Sequence, residues 1–403
     1  MLLEIVLAVV IGVIAGIFTG LFPGIHINLV AAGLLALISE GYFSSLEIVL
    51  AVFVVAMAVA HTFIDFIPSV YLGAPEEDSF LAVLPGHQML REGRGHEAVV
   101  MTLLGGLAAL PLIFFFTLVF VNFLPLVFEY VQALIPLILI FASLYLVFRE
   151  EEFVISLIVF LMAGFLGLFV FNLPVKEPLL PLLTGLFGIS GLVVSLRSNI
   201  SIPKQEIIKL REIKWNRKRI LKSTFAAAIA APLSSFLPGM GAGHAAVMGS
   251  ELMGDANDKR SFLFLVGAIG TIVMALSFVS VYAIDKARTG AAVAVDKILG
   301  GISPGDLILL MAVVLVSGIL AFVAGVNLSK VFSKFVGKVD YRKLSFFILI
   351  LLIVVNFVLT NFLGMIVLIT GSALGVFCVM SGARRINLMG VLMIPTIVFY
   401  LFG

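Results

Sequence analysis

Two short stretches place proline, glycine and polar side chains within long apolar segments. The first is "GLFPGIHINL" at Gly20–Leu29, and the second is "FLPGMGAGHAAVMGSEL" at Phe236–Leu252. Proline ends the helix before it, and glycine adopts backbone angles that other residues resist, so each stretch predicts a break between two helices. In hydrocarbon, the N–H and C=O groups released at such a break need partners inside the protein or in water.

A broken helix of this kind suits the binding of an anion. The helix that restarts after the break presents N–H groups without helical partners and the positive end of its dipole. Helix packing alone would explain either motif, because small residues allow close contact between helices. Two related copies, each followed by a histidine, favour a substrate site. We therefore predict a small anionic substrate near mid-membrane, bound by Pro23, Gly24, His26, Asn28, Pro238, Gly239, Gly241, Gly243 and His244.

Ionisable residues in apolar surroundings are functional candidates by default. The candidates for coupling transport to an ion, Na⁺ or H⁺, are His61, Asp65, Glu251 and Asp285. His61 and Asp65 stand four apart, on one face of a regular helix, where a mutually satisfied structural pair is an equal alternative. Asp285, with Lys286 and Arg288, could instead be a solvated loop charge.

The other residues that could do chemistry give weaker signals. His87 and His96 belong to the polar stretch "LPGHQMLREGRGHE" and are expected in a loop. The single cysteine, Cys378, excludes an intramolecular disulfide and a cysteine-rich metal site. No catalytic residue and no cofactor are predicted, and metal ligands are left unassigned.

The elements that carry these residues are typical of a membrane protein. Of 403 residues, 62% are hydrophobic and 12% are charged, whereas soluble domains carry about 25% charged residues. Apolar runs recur along the chain without the alternation of membrane β-barrels, so the predicted fold is an all-α polytopic membrane protein. Glu4 stands where a signal peptide would be positive, so the N-terminus is interpreted as the first membrane segment.

Positive charge concentrates in residues 197–222 and 330–343. The positive-inside rule puts both segments on the cytoplasmic side of the cell (plasma) membrane. Contact with lipid headgroups accounts for these charges better than nucleic-acid binding does. Membrane lipids are therefore an expected partner, and nucleic acid is not.

The two Pro-Gly motifs also indicate an internal duplication. One offset places the two Pro-Gly pairs over each other and Asn172 over Asn387, and two copies of Ser-Val-Tyr follow at nearly the same offset. The predicted domains are a first transmembrane repeat at 1–196, a basic cytoplasmic linker at 197–218 and a second transmembrane repeat at 219–403.

Equivalent segments of the two halves are predicted to cross the membrane in opposite directions. Leu126–Phe148, Phe153–Phe171 and Pro178–Leu196 lead to the cytoplasmic linker, whereas their counterparts begin after the other basic segment. This pattern predicts two inverted-topology repeats with Pro-Gly-broken or re-entrant helices, an architecture frequent in secondary transporters.

Three stretches, in this order, resemble the large permease subunit of tripartite tricarboxylate transporters: "GLFPGIHINLVAAGLLAL", "YLGAPEEDSFLAVLPGHQMLREGRGHEAVVMTLLGG" and "FLPGMGAGHAAVMGSEL". The resemblance covers most of the chain. It implies import of carboxylates by ion coupling, with a small membrane subunit and an extracytoplasmic binding protein as partners. This sequence departs from the family in two places. His26 stands where the family usually has a glycine, and "VYAIDKARTGAAVAV" stands in place of an acidic, asparagine-containing stretch.

These observations predict a secondary, ion-coupled transporter of a small organic anion, a carboxylate, and not an enzyme. A similar Pro-Gly pattern in polyprenyl-phosphate transporters leaves an anionic lipid as an alternative substrate. An intramembrane enzyme, with His26 or His244 as a base and Ser69 or Ser250 as a nucleophile, is a further alternative that no H-E-x-x-H or G-x-S-x-G motif supports. The absence of a phosphate-loop motif argues against an ATP-driven pump. A homodimer is left open as the assembly state.

Overall fold

The computed structural model describes residues 2–22, 30, 46–72, 80–148, 150, 152–175, 178–197, 203–213, 216–237, 241–254, 258–336 and 341–402. Every regular element in these residues is helical, which confirms the all-α fold. The helices in chain order are α1 (Leu2–Leu21), α2 (Glu47–Ile64), α3 (Phe66–Leu72), α4 (Phe80–Arg91), α5 (Gly95–Phe148), α6 (Phe153–Phe171), α7 (Leu179–Leu183), α8 (Ser190–Arg197), α9 (Arg217–Phe236), α10 (Ala242–Met253), α11 (Lys259–Ile284), α12 (Gly290–Leu299), α13 (Pro304–Val336), α14 (Tyr341–Leu359), α15 (Phe362–Met380) and α16 (Gly390–Phe402). A π-helix joins α7 to α8 at Thr184–Ile189, and 3-10 helices lie at Leu210–Glu212 and Arg385–Met389.

Eight stretches within the described residues are long and apolar enough to cross a membrane. They are α1, α2 with α3, α5, α6, α11, α13, α15, and α16 with the 3-10 helix before it. A multi-pass membrane protein is therefore confirmed. In α11, 94% of the most apolar window is buried, against 33% in α1. A helix that is apolar all round and buried belongs to the centre of a bundle, so α11 is a central helix.

The long helix α5 exceeds the length that one crossing needs. Its 54 residues extend about 81 Å at 1.5 Å per residue, whereas the hydrocarbon core is about 30 Å thick. Pro111, Pro125 and Pro136 lie inside it and are its expected points of kinking. The segment Leu126–Phe148, expected from the sequence to stand alone, is therefore the last part of a longer helix.

Two hydrophobic cores organise the molecule. The first core joins α1 to α4, the part of α5 up to Leu124, and α9 to α13. The second core joins the part of α5 from Ile135 onward with α6, α7, α15 and α16. A smaller cluster packs α8 against α14 and α15. Each core takes helices from both halves of the chain, and α5 passes from one core to the other.

Helices of the two halves match in order and length. Helices α1 and α9 have 20 residues each, Glu47–Leu72 and α11 have 26 each, and α6 and α15 have 19 each. In this order α5 corresponds to α13 with α14. The matched lengths support the internal duplication, while the boundaries of the two repeats stay a prediction.

Helices α5 and α13 run antiparallel where they pack. Leu103 contacts Gly325, Leu110 contacts Gly318, and the Thr117 hydroxyl lies 3.6 Å from the Met311 sulfur. Numbers rise along one helix as they fall along the other. The inverted-topology repeat stays a prediction, with which this antiparallel contact is compatible.

The described part of the linker docks at one end of the molecule, which we call the linker end. Gln205 accepts a hydrogen bond from the N–H of Gly95 at 2.9 Å and donates one to the carbonyl oxygen of Leu90 at 3.0 Å. His96, in the first turn of α5, has its Nδ1 2.9 Å from Ser329 Oγ in α13. Helix α5 therefore begins at the linker end, and α13 ends there.

An ion-pair network joins the starts of α5 and α11 at the linker end. The Glu97 carboxylate, 1% exposed, lies 2.8 Å from Arg94 Nε and 2.6 Å from Arg260 Nη2. Glu92 accepts a hydrogen bond from Lys259 at 2.6 Å, and this bond holds the pKa of Glu92 below its ordinary value. A cavity of about 400 Å³ lies beside these residues. Two partners for one buried carboxylate offset the cost of removing it from water.

Two sequence-based expectations are wrong. His87 and His96 lie in helices α4 and α5 rather than in a loop. Asn172 follows α6 and is exposed, whereas Asn387 is buried in the last 3-10 helix, so these two residues are not structural equivalents. A three-letter match in such a biased composition does not predict equivalence.

Candidate functional site

The second Pro-Gly break lies between α9 and α10. Helix α9 ends at Phe236, and α10 begins at Ala242. Leu237 is only 2% exposed, and Gly241 and Gly243 are buried. Both ends of this break are therefore inside the protein, as a break in hydrocarbon requires.

This second break lies at the seam between the two cores. Phe236, in the last turn of α9, packs against both cores, and so does Met248 in α10. Leu237 and Val247 belong to the second core, although the rest of α9 and α10 packs in the first. A site at this seam touches both groups of helices at once.

An arginine reaches the second break from the loop after α11. Arg288 is partly buried, and its Nη1 donates a hydrogen bond to the carbonyl oxygen of Ser234 at 2.8 Å. Its Nη2 lies 3.4 Å from the position that a Cβ would take on Gly241. The interpretation of Arg288 as a solvated loop charge is therefore wrong, because tertiary folding turns it inward. No local sequence signal distinguishes it from Lys286, which is exposed.

The first break follows α1, and the structure describes the last turns of α1 that lead to it. Thr19 Oγ1, which donates to the carbonyl oxygen of Gly16 at 3.2 Å, lies 3.0 Å from His61 Nδ1. Gly20 packs against the backbone of His61 and Asp65, so α1 ends beside both residues. His61 is 3% exposed and Asp65 is 2% exposed. Two candidates for ion coupling thus lie, buried, next to the first break.

The two breaks have different chemical surroundings. Aligning α1 with α9 from their first residues places Thr19 on Ser234. Aligning Glu47–Leu72 with α11 in the same way places Asp65 on Ser277. In this register, set by the helix starts alone, a carboxyl group in the first half takes the position of a hydroxyl group in the second.

The other candidate residues have less informative positions. Pro23, Gly24, His26, Asn28, Pro238 and Gly239 lie outside the described residues, as does the side chain of His244. Glu251 is exposed in the last turn of α10. Asp285 is also exposed and ends α11 in a left-handed conformation. Burial, followed by the charge of Asp285, raises the pKa of Asp296, so Asp285 lies near α12.

The sequence matches one protein family over nearly its whole length. Residues 6–390 match the sequence profile of the Tripartite tricarboxylate transporter TctA family. The chain belongs to this family. It is also similar to the uncharacterized protein MJ1079 of Methanocaldococcus jannaschii, with 30% identity over 365 residues, which cover 87% of this chain and 88% of that protein. No solved structure matches the chain.

Membership of the TctA family makes the chain a multi-pass transport protein of the tricarboxylate type and not an enzyme. It gives no support to a polyprenyl phosphate as the substrate. Among the described residues, no group of three or more His, Cys, Asp or Glu side chains is arranged to hold a metal ion.

Proposed function

We propose that this chain is an ion-coupled secondary transporter that moves a small organic anion, a carboxylate, bound at its two Pro-Gly breaks. The observation that carries the proposal is the position of the second break at the seam between the two cores, with Arg288 beside it. A cationic group and a helix N-terminus at one backbone break both favour negative charge.

The depth of the second break supports a site within the membrane. Lys222 is exposed near the start of α9, at the linker end. Ser234 lies about 18 Å further along the helix at 1.5 Å per residue, a little over half of a hydrocarbon core of about 30 Å. An anion bound there would have to reach the site through protein or water.

The arrangement of helices supports alternating access. The antiparallel contact of α5 with α13 fits two inverted-topology repeats, with boundaries near 1–196 and 219–403. In transporters of that architecture one group of helices moves against the other around a fixed site. Movement at the seam between the cores would expose the second break to each side of the membrane in turn.

Coupling to Na⁺ or H⁺ is assigned to His61 and Asp65. Both are ionisable side chains buried beside the end of α1, and ionisable groups inside a membrane protein are candidates for ion and proton coupling. Glu251 and Asp285 are second-rank candidates, because both are exposed. The proposal includes a cell-membrane location with the basic segments cytoplasmic, and a small membrane subunit and an extracytoplasmic binding protein as partners.

Exchange of labelled substrate in proteoliposomes, with Na⁺ and pH equal on both sides, tests this function without an imposed ion gradient. Vesicles preloaded with unlabelled citrate should take up labelled citrate, and other carboxylates should compete better than phosphate or choline. Gly239→Val should reduce exchange because a branched side chain obstructs the backbone at the break. Gly305→Ala is the matched control, since its nearest neighbour, Ser303 Oγ, lies 3.8 Å from the added Cβ. Preference for choline over every anion would contradict the proposal.

Cross-linking tests whether the two breaks meet. In a Cys378→Ala background, cysteines at Ile25 and Met240 should form a cross-link, and bound citrate should change its rate. Failure to link under all conditions would leave helix packing as the explanation of both motifs.

A further inference from the structure

We propose that Arg288 binds a carboxylate group of the transported anion at the second break. The inference rests on the proposed function and adds to it a residue that fixes the charge and the geometry of the substrate. Arg288 belongs to neither Pro-Gly motif and reaches the break only in the folded protein.

The charge of Arg288 has no acidic partner among the described residues. Its guanidinium group offers five N–H donors, of which one is used in the hydrogen bond to Ser234. The acidic residue nearest to Arg288 in the sequence, Asp285, is exposed, and its charge contributes to the raised pKa of Asp296. A partly buried cation without a carboxylate in the protein is a suitable partner for a carboxylate that arrives with the substrate.

Gly241 places backbone without a side chain beside the guanidinium group. Among the described residues, the nearest atoms to a Cβ on Gly241 would be Arg288 Nη2 at 3.4 Å, the N–H nitrogen of Gly243 at 3.9 Å and the Met389 methyl carbon at 3.9 Å. These are ordinary van der Waals distances, so the folded protein tolerates a methyl group there. The same methyl group would occupy space next to the donors that a carboxylate needs.

A purely structural role for Arg288 makes a different prediction. Arginine side chains can cap the last carbonyl groups of a helix, and Ser234 is in the last turn of α9. Such a cap uses one donor, which a lysine also supplies. Recognition of a carboxylate uses two parallel donors of the planar guanidinium group, which a lysine lacks. Arg288→Lys therefore separates binding from capping.

The two breaks then divide the work of coupled transport. The carboxyl group of Asp65 beside the first break suits a cation or a proton, and Arg288 beside the second suits an anion. Aligned from their first residues, α11 has Ser277 where Glu47–Leu72 has Asp65, so in this register α11 contributes a hydroxyl group and no carboxylate.

The test measures the apparent dissociation constant of citrate from its stabilisation of the purified full chain against heat, with acetate and chloride as comparison anions. Citrate should stabilise the unsubstituted chain. Arg288→Lys and Arg288→Gln should weaken citrate binding by about tenfold to a hundredfold, the loss expected for hydrogen bonds to a charged group. Gly241→Ala should weaken binding while leaving the unliganded unfolding midpoint unchanged, and Lys286→Gln should bind normally.

Two results would overturn the inference in distinguishable ways. Normal citrate binding by both Arg288→Lys and Gly241→Ala would show that Arg288 only caps α9, and the proposed function would stand. No stabilisation of the unsubstituted chain by citrate or any other carboxylate, with or without Na⁺, would remove the proposed function and the inference with it.

Discussion

Gly16 fixes the distance between α1 and α2, and replacing it by alanine should disturb the approach to the first break. The two helices run parallel, with Gly12 against Ala56 and Gly16 against Ala60. A Cβ on Gly16 would lie 2.7 Å from the Ala60 Cβ and would overlap the carbonyl oxygen of Met57. Carbon atoms in contact are normally about 3.5–4.0 Å apart, so the helices must separate by about 1 Å.

The expected cost of Gly16→Ala follows from two losses. Overpacking of a tight contact costs about 1–3 kcal/mol. The 3.0 Å contact of Thr19 with His61, one turn away, would be stretched beyond hydrogen-bonding distance, at about 1 kcal/mol. The free energy of unfolding should therefore fall by about 2–4 kcal/mol.

Gly188→Ala is the matched control for this measurement. The nearest atom to its added Cβ is a Leu352 methyl carbon at 3.5 Å, which is an ordinary contact. Both variants gain the same reduction in unfolded-state entropy, so their difference isolates the packing term. Unfolding of the purified protein by a denaturing detergent, followed by circular dichroism, gives both values. Equal stabilities for Gly16→Ala and Gly188→Ala would refute the account of the α1–α2 contact.

Three further predictions concern ionisable groups. Glu97→Gln should lower the free energy of unfolding by about 2–3 kcal/mol, because Arg94 and Arg260 lose the buried carboxylate that they contact. A variant with the same unfolding free energy as the unsubstituted chain in low salt would contradict the ion-pair network. Burial, together with Arg385 and Arg91, lowers the pKa of His87 to about 4, so the unfolded chain takes up a proton near pH 6.5 before the folded chain does. The stability that neutral His87 contributes should therefore be lost as the pH falls from about 6.5 to about 4. A difference in unfolding free energy between the unsubstituted chain and His87→Gln that does not change with pH would argue against this. Asp65→Asn should abolish gradient-driven citrate uptake into proteoliposomes. Citrate binding, measured by thermal shift, should stay intact. Uptake by Asp65→Asn that still follows the ion gradient would show that Asp65 is not the coupling residue.

Much of the fold could be predicted because membrane helices carry a strong composition signal. The predicted segment Phe153–Phe171 has the same bounds in the structure, since polar residues flank it on both sides. Leu126–Phe148 was harder to delimit, because prolines can lie inside a packed helix without ending it.

The candidate site was only partly predictable, because its residues meet through tertiary contacts. The shared helix face of His61 and Asp65 followed from their spacing, and the structure places both beside the end of α1. Arg288 gave no local signal, since its partner Ser234 is far away in the sequence. His96 was misassigned for the same reason, because Ser329, which contacts its ring, belongs to a distant helix.

Accumulation of labelled citrate in proteoliposomes, under an imposed ion gradient, tests the central claim most directly. With an inward Na⁺ or H⁺ gradient, the internal citrate concentration should rise above the external one, and an ionophore that dissipates that gradient should prevent the rise. Arg288→Gln vesicles should accumulate little citrate under the same gradient, and Lys286→Gln vesicles should match the unsubstituted chain. Citrate that only equilibrates across the membrane, whichever gradient is imposed, would contradict ion-coupled transport by this chain.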